Sequence, residues 1–388
     1  MPVHAKRFIE QLTQLVAIPS VSCTQASLDM SNRPVIDLLA TWLASYGFAI
    51  DIQEIPGQER AKANLIATLG SGNQGLVFAG HTDTEPYNAE RWQQDPFTLT
   101  IDDNHAFGLG ATDMKGFFPT VLAAIEPFIS APLKQPIIII ATADEESSMS
   151  GARALVESQY PKARYAVIGE PTSMRPIRMH KGITMESIRI TGQAGHSSNP
   201  ALGNNALDAM HEVLGELKHF RQQLQRQYQH SGFDIAVPTL NLGCIHGGDN
   251  PNRICGHCEL AFDLRPLPGM SLDNLREDID RRLARLAKEN AITIERESAF
   301  PGVDAFEQSH HSPLIKAVEA LTGQTSDSVA FATEAPFLQK MGMDVVVMGP
   351  GSIDSAHQPN ECIDLNDIEL AVTTLQGLIR QFCLNKQE

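Results

Sequence analysis

Several stretches of this sequence place histidine or carboxylate side chains directly after a run of apolar residues. LVFAG leads into His81 and Asp83, IIIIATA into residues 144–146 (DEE), YAVIG into Glu170, and VVVMGPG leads through a short loop to His357. Imidazole and carboxylate groups together form a ligand set that suits a pair of Zn²⁺ ions. In such sites a shared carboxylate and a water bridge the two cations. The sequence therefore predicts a two-metal site.

His81 and Asp83 are two positions apart, so on an extended segment their side chains project to the same side. A ligating histidine usually donates its other ring N–H to a carboxylate, and Asp83 is placed to orient His81 in this way. The alternative is a solvated surface turn, since the His-Thr-Asp-Thr run is polar. Its abrupt arrival after an apolar strand favours the functional interpretation.

Glu145 and Glu146 are sequence neighbours and must point in different directions, so one can bind metal while the other handles protons. A solvated charge cluster is the alternative for this acidic run. Asp113 lies in GLGATDMKG, where glycines let the backbone turn sharply beside a ligand. Its alternative role is to cap an apolar helix that begins near Lys115.

Apolar strands and helices alternate through the first third of the chain. Helical spacing covers 5–18 and 34–46, and strand-like runs cover 48–54, 64–69, 76–80, 137–142 and 165–169. Several of these runs are continuously apolar, as expected for strands that helices cover on both faces. We therefore expect an α/β fold with a mixed, mostly parallel sheet, whose strands bring the polar groups to one edge.

The pattern changes after about residue 182, where the order of elements becomes β-α-β-β-α-β. That order is typical of a ferredoxin-like unit. Buried-strand character returns at 345–349, and a helix follows from about 366. We expect a catalytic domain at 1–182 and 293–388, with an inserted α+β domain at 183–292.

The overall charge limits the partners. The 388 residues carry a formal net charge of −16, which disfavours nucleic acid and anionic membrane surfaces. No apolar run approaches the length of a membrane span, and the amino terminus does not resemble a signal peptide. The six cysteines are sparse, and Cys255 and Cys258 are expected to be buried thiols rather than zinc ligands. These features favour a cytoplasmic protein.

Six separated motifs resemble the co-catalytic zinc peptidase and deacylase family. They are GHTDT (80–84), GLGATDMKG (108–116), ATADEE (141–146), IGEPT (168–172), GQAGHSSNP (192–200) and the late His357. The resemblance runs in order through nearly the whole chain. It implies a zinc exopeptidase-like fold and the hydrolysis of a small N-acyl amino acid. HKGI (180–183), DLRPLPGM (263–270) and TEAPF (333–337) most resemble members that deacetylate N2-acetyl-L-ornithine.

The resemblance also implies a role for each matching residue. His81 and Glu170 would hold one Zn²⁺, Glu146 and His357 the other, and Asp113 would bridge the two, with Co²⁺ as a possible substitute. Asp83 would orient His81. Glu145 would be the general base that deprotonates the attacking water and returns the proton to the departing amine.

The inserted domain would make a homodimer contact, according to the same resemblance. His196 would then reach an active site, that of the partner subunit, and stabilise the oxyanion. Asn252 and Arg253 match the position that binds the substrate carboxylate, for which the planar guanidinium is suited. The alternative for Arg253 is an ion pair at the rim, and the usual Asn-x-Ile-Pro has Cys255 in place of proline.

Other functions remain open from the sequence. A desuccinylase acting on succinyl-diaminopimelate, or another N-acyl amino-acid hydrolase or carboxypeptidase, would use the same metal chemistry with different pocket contacts. A metal-binding scaffold without turnover would not need Glu145. A ligand-binding clamshell would also have two domains, but would not need a metal.

Overall fold

The chain folds into two compact units. The computed structural model describes residues 5–384. The first unit contains the chain up to Arg178, Gln308–Asp327 and the chain from Thr333 onward, and the second contains Met179–Glu307 and Ser328–Ala332. The second unit is wider than the 183–292 expected from sequence. The backbone of Phe306 pairs with that of His180, so residues before 183 and residues after 292 also belong to this unit.

The helices are α1 (Ala5–Val16), α2 (Arg33–Ser45), α3 (Phe117–Ile125), α4 (Ser150–Ser158), α5 (Ala206–Gln227), α6 (Leu272–Glu289), α7 (Pro313–Thr322), α8 (Ala335–Lys340) and α9 (Asp367–Ile379). Those predicted at 5–18, 34–46 and after 366 are observed with ends shifted by a few residues. Across residues 5–384, no helix combines the length and the apolarity that crossing a bilayer requires.

The strands are β1 (Ala49–Ile55), β2 (Lys62–Leu69), β3 (Leu76–His81), β4 (Thr100–Asp102), β5 (His105–Phe107), β6 (Ile137–Thr142), β7 (Tyr165–Pro171), β8 (Ile177–His180), β9 (Thr184–Thr191), β10 (Gly195–His196), β11 (Thr239–Gly247), β12 (Arg253–Ile254), β13 (His257–Arg265), β14 (Thr293–Ser298), β15 (Phe306–Glu307), β16 (Asp327–Val329), β17 (Asp344–Gly349) and β18 (Cys362–Asp364). A small separate sheet has the order β18-β5-β4.

The main sheet of the first unit has the strand order β1-β2-β6-β3-β7-β17-β8. The four central strands, β6, β3, β7 and β17, are parallel to one another. The strands on both sides of them run antiparallel. Every residue of β6 and of β7 is buried, as expected for strands covered on both faces. The predicted mixed α/β sheet is confirmed, with its parallel part at the centre.

The carboxyl ends of parallel neighbours lie at one edge of a sheet, so these central strands deliver their following residues to the same edge. β3 ends at His81, β7 contains Glu170, and the loops after β6 and β17 contain Glu146 and His357. Gly169 makes the approach of Glu170 possible, because a Cβ at this position would lie 2.1 Å from the Phe117 ring.

A tight turn before α3 presents Asp113. Gly110 begins it at φ +77°, where a Cβ would lie 2.7 Å from Cγ2 of Thr84. The peptide bond between Asp113 and Met114 is cis. The residue at the N-cap of α3 is Gly116, so Asp113 does not cap the helix. The capping alternative for Asp113 is therefore wrong.

The second unit contains an antiparallel sheet of strand order β11-β13-β9-β14. With α5 and α6 between the strands in the chain, this is the ferredoxin-like order predicted from the sequence. The side chains of Asn205 and Ser271 cap the two helices by accepting main-chain N–H groups. Apolar residues such as Val213 and Leu217 of α5 pack against the sheet and form a separate core.

Candidate metal centre

Asp113 lies between two histidines. Its Oδ1 is 3.0 Å from Nε2 of His81, and its Oδ2 is 3.2 Å from Nε2 of His357. Each carboxylate oxygen therefore faces a different imidazole. Burial opposes ionisation of Asp113, but hydrogen bonds from His357 and His81 outweigh it and lower the pKa of this carboxyl. One carboxylate with a histidine at each oxygen is the arrangement that a bridging ligand of two cations requires.

Glu146 joins the same group through its side chain and its backbone. Its Oε1 lies 3.1 Å from Nε2 of His357, and its main-chain N–H donates to Oδ2 of Asp83 at 3.1 Å. Ligand atoms of His81, Asp113 and Glu146 all lie within 4.8 Å of one another. Burial and the charge of Asp113 raise the pKa of Glu146 to about 7.

Glu170 is buried, and its Oε1 has no hydrogen-bond partner within the described chain. The pKa of Glu170 is raised well above its usual range, first by burial and then by the negative charge of Asp113. The positive charge of His81 acts in the opposite direction. A buried carboxylate oxygen without a partner is costly, and a cation would satisfy it.

Glu145 is half-buried beside these groups. Burial and then the charge of Glu170 raise the pKa of Glu145 well above its usual range. A raised carboxyl pKa suits a group that must accept and return a proton near neutral pH. The neighbouring Asp144 is 3% exposed, so the acidic run is not a solvated cluster.

Asp83 contacts His81 in a different way from the one predicted. Nδ1 of His81 lies 3.0 Å from the main-chain carbonyl oxygen of Asp83, whereas the nearest carboxylate oxygen is 3.8 Å away. The Asp83 carboxylate instead accepts the main-chain N–H of Glu146. The His81 to Thr84 segment is buried, which removes the alternative of a solvated turn.

Sequence reasoning missed Glu361, which holds the turn that carries Asp113. Its Oε1 accepts main-chain N–H groups of Thr112 and Asp113, and its Oε2 accepts that of Gly110, at 2.8 to 2.9 Å. Burial and the charge of Asp113 raise the pKa of Glu361 to about 8, against these hydrogen bonds. No motif flagged this residue because an acid after a loop has no distinguishing pattern.

Two further carboxylates were also missed. Glu334 is buried, accepts a hydrogen bond from Oγ1 of Thr142 at 2.9 Å, and leaves its Oε1 without a hydrogen-bond partner within the described chain. Glu85 offers a ligand atom within 4.8 Å of those of Glu146 and His357. Burial raises the pKa of Glu85 as well. The position of Glu85 directly after the His-Thr-Asp-Thr run was the available signal.

His196, Asn252 and Arg253 belong to the second unit, where they line one shallow surface depression. His196 pairs with Arg253 across β10 and β12, is exposed, and accepts a hydrogen bond from Oγ of Ser198 at 2.8 Å. The guanidinium of Arg253 forms an ion pair with Asp249. This is the rim ion pair considered as the alternative for Arg253.

A second cavity of the second unit, of about 560 Å³, was not predicted. Lys181 and Arg265 line it together with apolar groups such as Phe233. Burial and the charge of Arg265 lower the pKa of Lys181. Two neighbouring cations can meet an anionic group such as a carboxylate, in competition with Asp234, which also lines the cavity, and with Asp263, which pairs with Arg265 at 3.0 Å.

The sequence matches a model of the family described as peptidase family M20/M25/M40 over residues 77–381. The chain belongs to peptidase family M20/M25/M40. It is 46% identical over 383 residues to an acetylornithine deacetylase of Edwardsiella ictaluri, covering 99% of this chain and 100% of the relative.

Solved structures of the M20 family have the same fold. An M20 metallo-carboxypeptidase, Sso-CP2 of Sulfolobus solfataricus, matches with a TM-score of 0.76 at 17% identity, covering 97% of this chain and 99% of that one. The YXEP protein of Bacillus subtilis, described as a dinuclear metal-binding peptidase of the family, matches with a TM-score of 0.68 at 14% identity, covering 98% of this chain and 100% of that one. These likenesses confirm the predicted fold class.

The M20 chain also has residues that fit metal ions. Two imidazoles and several carboxylates converge, the buried Oε1 of Glu170 lacks a hydrogen-bond partner within residues 5–384, and burial and then neighbouring negative charges raise the pKa values of Glu145 and Glu170. Divalent cations would satisfy the oxygen and neutralise the repulsion. Family membership and this donor set identify the protein as a metal-dependent amidohydrolase.

Proposed function

We propose that this M20 enzyme hydrolyses N2-acetyl-L-ornithine to L-ornithine and acetate, a deacetylation of arginine biosynthesis. The observation that carries the proposal is the Asp113 carboxylate shared between His81 and His357, with Glu145 beside it. Similarity over the full length to an acetylornithine deacetylase supports the choice of substrate. The scaffold alternative, a metal-binding protein without turnover, has no use for Glu145.

His81 and Glu170 would hold one metal ion, Glu146 and His357 the other, and Asp113 both. Zn²⁺ is the proposed metal and Co²⁺ a possible substitute, because imidazole and carboxylate ligands suit both. When bound, the ions supply Lewis acidity for the acyl carbonyl and lower the pKa of the attacking water. Asp83 orients His81 through its main-chain carbonyl.

Glu145 moves the proton of the reaction. Its carboxylate takes a proton from the attacking water as the new C–O bond forms at the acetyl carbon. It returns that proton to the amine nitrogen as the C–N bond breaks. The acetic acid that forms passes its remaining proton to the free amine, so acetate and ornithine leave with atoms and charge balanced and Glu145 is restored.

His196 of one subunit is proposed to donate a hydrogen bond to the oxyanion in the active site of the other subunit, and so to stabilise it. Asn252 and Arg253 are proposed to bind the substrate carboxylate, which requires Arg253 to exchange Asp249 for the substrate. Lys181 and Arg265 are a second candidate pair for this carboxylate, because they line a cavity rather than the rim.

A homodimer would bring His196 into a partner's site. β11 is an edge strand of the second unit, and Gly243 to Gly247 along it are exposed. Ile245 on this edge is 47% exposed. An exposed edge strand with an apolar residue is a template for pairing with another chain. We propose that a second copy pairs along β11.

The six free cysteines are consistent with a reducing cytoplasm.

Substrate preference tests the function. Purified, metal-analysed enzyme should release free amine from N2-acetyl-L-ornithine with a higher kcat/KM than from succinyl-diaminopimelate, and a chelator should abolish release. A preference for the succinylated substrate would replace the proposal with the desuccinylase alternative. No amine release by metal-loaded enzyme from either substrate would favour the scaffold.

A further inference from the structure

Glu85 is a carboxylate beside the metal centre for which the proposed chemistry has no use. It follows the buried His81–Thr84 segment and is half-buried. One of its oxygens lies within 4.8 Å of ligand atoms of Glu146 and His357. It is therefore close enough to influence whatever binds there.

Glu85 does not take part in the hydrogen bonds that connect the proposed ligands His81, Asp113, Glu146 and His357. His357 contacts Glu146 and Asp113 at 3.1 and 3.2 Å, whereas the Glu85 carboxylate makes no hydrogen bond or ion pair to any residue between 5 and 384. A partly buried carboxylate without a partner loses hydration without compensation. A cation from outside the chain would restore the balance.

The surroundings of Glu85 indicate what kind of cation fits. Glu85, Tyr87, Trp92 and Leu109 line a cavity of about 190 Å³ that also reaches Asp113 and other residues of the ligand group. Arg91 lines it too, but is exposed and makes no ion pair in the described chain. An acid flanked by aromatic and apolar surface suits an alkylammonium, whose methylene groups pack on the apolar wall and whose charge meets the carboxylate and rings.

Charge favours an ammonium over a third metal ion. Glu85, Glu145 and the carboxylates of the ligand group outnumber the positive charges of two divalent cations. An additional single positive charge compensates the excess. A neutral substrate side chain would leave Glu85 unpaired.

We propose that Glu85 binds the side-chain ammonium of the substrate and sets a preference for N-acyl amino acids with a cationic side chain. This inference rests on the proposed function, because ornithine supplies that ammonium. Glu85 is thereby a specificity residue and takes no part in metal binding or proton transfer.

The test compares E85Q with wild type on two substrates, N2-acetyl-L-ornithine and N-acetyl-L-norvaline. The norvaline side chain has the same three carbons as that of ornithine, Cβ, Cγ and Cδ, but lacks the terminal ammonium. Metal content and thermal unfolding are measured on the same preparations. E90Q is the matched control, since Glu90 is exposed in the same loop and does not line the cavity. E85Q should lower kcat/KM for the ornithine substrate by about 10- to 100-fold, the value of a charged hydrogen bond. E85Q should keep the wild-type kcat/KM for the norvaline substrate and the wild-type metal content. E90Q should match wild type in every measurement.

Loss of metal together with equal losses on both substrates would overturn the inference and make Glu85 a ligand. Undiminished selectivity in E85Q would overturn it while leaving the proposed function intact. Wild-type enzyme that does not cleave the ornithine substrate would overturn both, and this outcome is visible before any variant is examined.

Discussion

Oε1 of Glu361 accepts a hydrogen bond of 2.9 Å from the main-chain N–H of Asp113. The same carboxylate also holds the N–H groups of Gly110 and Thr112. Three main-chain donors fix the turn, so Asp113, the proposed bridging carboxylate, is positioned by an acid far along the chain. Groups that orient ligands in this way are often as necessary as the ligands.

E361Q should therefore weaken metal binding. A glutamine has one acceptor oxygen in place of two, so at least one of the three N–H groups loses its partner. We expect metal affinity, measured by competition with a chromophoric chelator, to fall about 10- to 100-fold. E369Q, at an exposed position of α9, should bind metal as wild type does. Equal affinities for E361Q and E369Q would remove Glu361 from this role.

E145Q should abolish turnover without releasing metal. The amide cannot accept the proton of the attacking water, and we expect kcat to fall by about 10²- to 10⁴-fold or more. Elemental analysis should give the same metal content as wild type, because Glu145 is not among the proposed ligands. Retained activity would show that another group is the base.

K62M should destabilise the fold through its buried charges. Nζ of Lys62 lies 2.7 Å from carboxylate oxygens of both Asp29 and Asp144, and the residue is 2% exposed. Removing the cation leaves two carboxylates unpaired, which should lower the free energy of unfolding by about 3–5 kcal/mol.

R33M is the control for K62M, since Arg33 pairs with Asp37 and Glu54 at the surface. That substitution should cost below about 1 kcal/mol. Urea denaturation of both variants measures the difference. Similar midpoints for K62M and wild type would mean that the buried pair contributes little.

His180 should make the stability depend on pH. Burial lowers the pKa of His180 from 6.5 to about 4. Between these values the unfolded chain binds a proton that the folded chain does not, so stability is highest above pH 6.5 and falls as the pH falls toward 4. The loss from this residue is about 3 kcal/mol.

The variant H180N, whose amide does not titrate, isolates the contribution of His180. Its difference in unfolding free energy between pH 7 and pH 4.5 should be smaller than that of wild type, both measured with chelator present. Parallel pH profiles would indicate that His180 does not titrate in this range.

I245K should disrupt the proposed dimer. A lysine on the exposed edge of β11 introduces charges that repel each other across a two-fold pairing. Sedimentation should show a dimer for wild type and monomer for I245K. I101K, at a 42% exposed position of the first unit, should sediment as wild type does. Monomeric wild type would contradict the homodimer.

The sequence predicted the strands of the metal centre well because their signal is physical. β6 reads as an uninterrupted apolar run because both of its faces are buried, and the groups that follow such strands must meet at one edge. His81 and Glu146 converge for that reason. Asp113 was harder, since a glycine-rich turn before a helix looks the same whether its acid caps the helix or faces a ligand.

The roles of Glu361 and Glu85 and the ion pair of Arg253 could not be predicted from the sequence, because they depend on how the chain folds around these residues. Glu361 and Asp113 are 248 positions apart, and nothing in their local sequence links them. Glu85 is an ordinary acid until a cavity places it beside His357. The ion pair of Arg253 with Asp249 depends on the loop conformation, which residue types alone do not determine.

The insertion of the second unit has a consequence for synthesis. β17 lies between β7 and β8, yet the ribosome makes it after the whole inserted unit, and His357 follows later still. A nascent chain that has not reached this point has a gap between β7 and β8, leaves one edge of β7 unpaired, and lacks His357, one of the three ligands proposed for the second cation. Metal loading and protection from aggregation must therefore wait until translation is nearly complete.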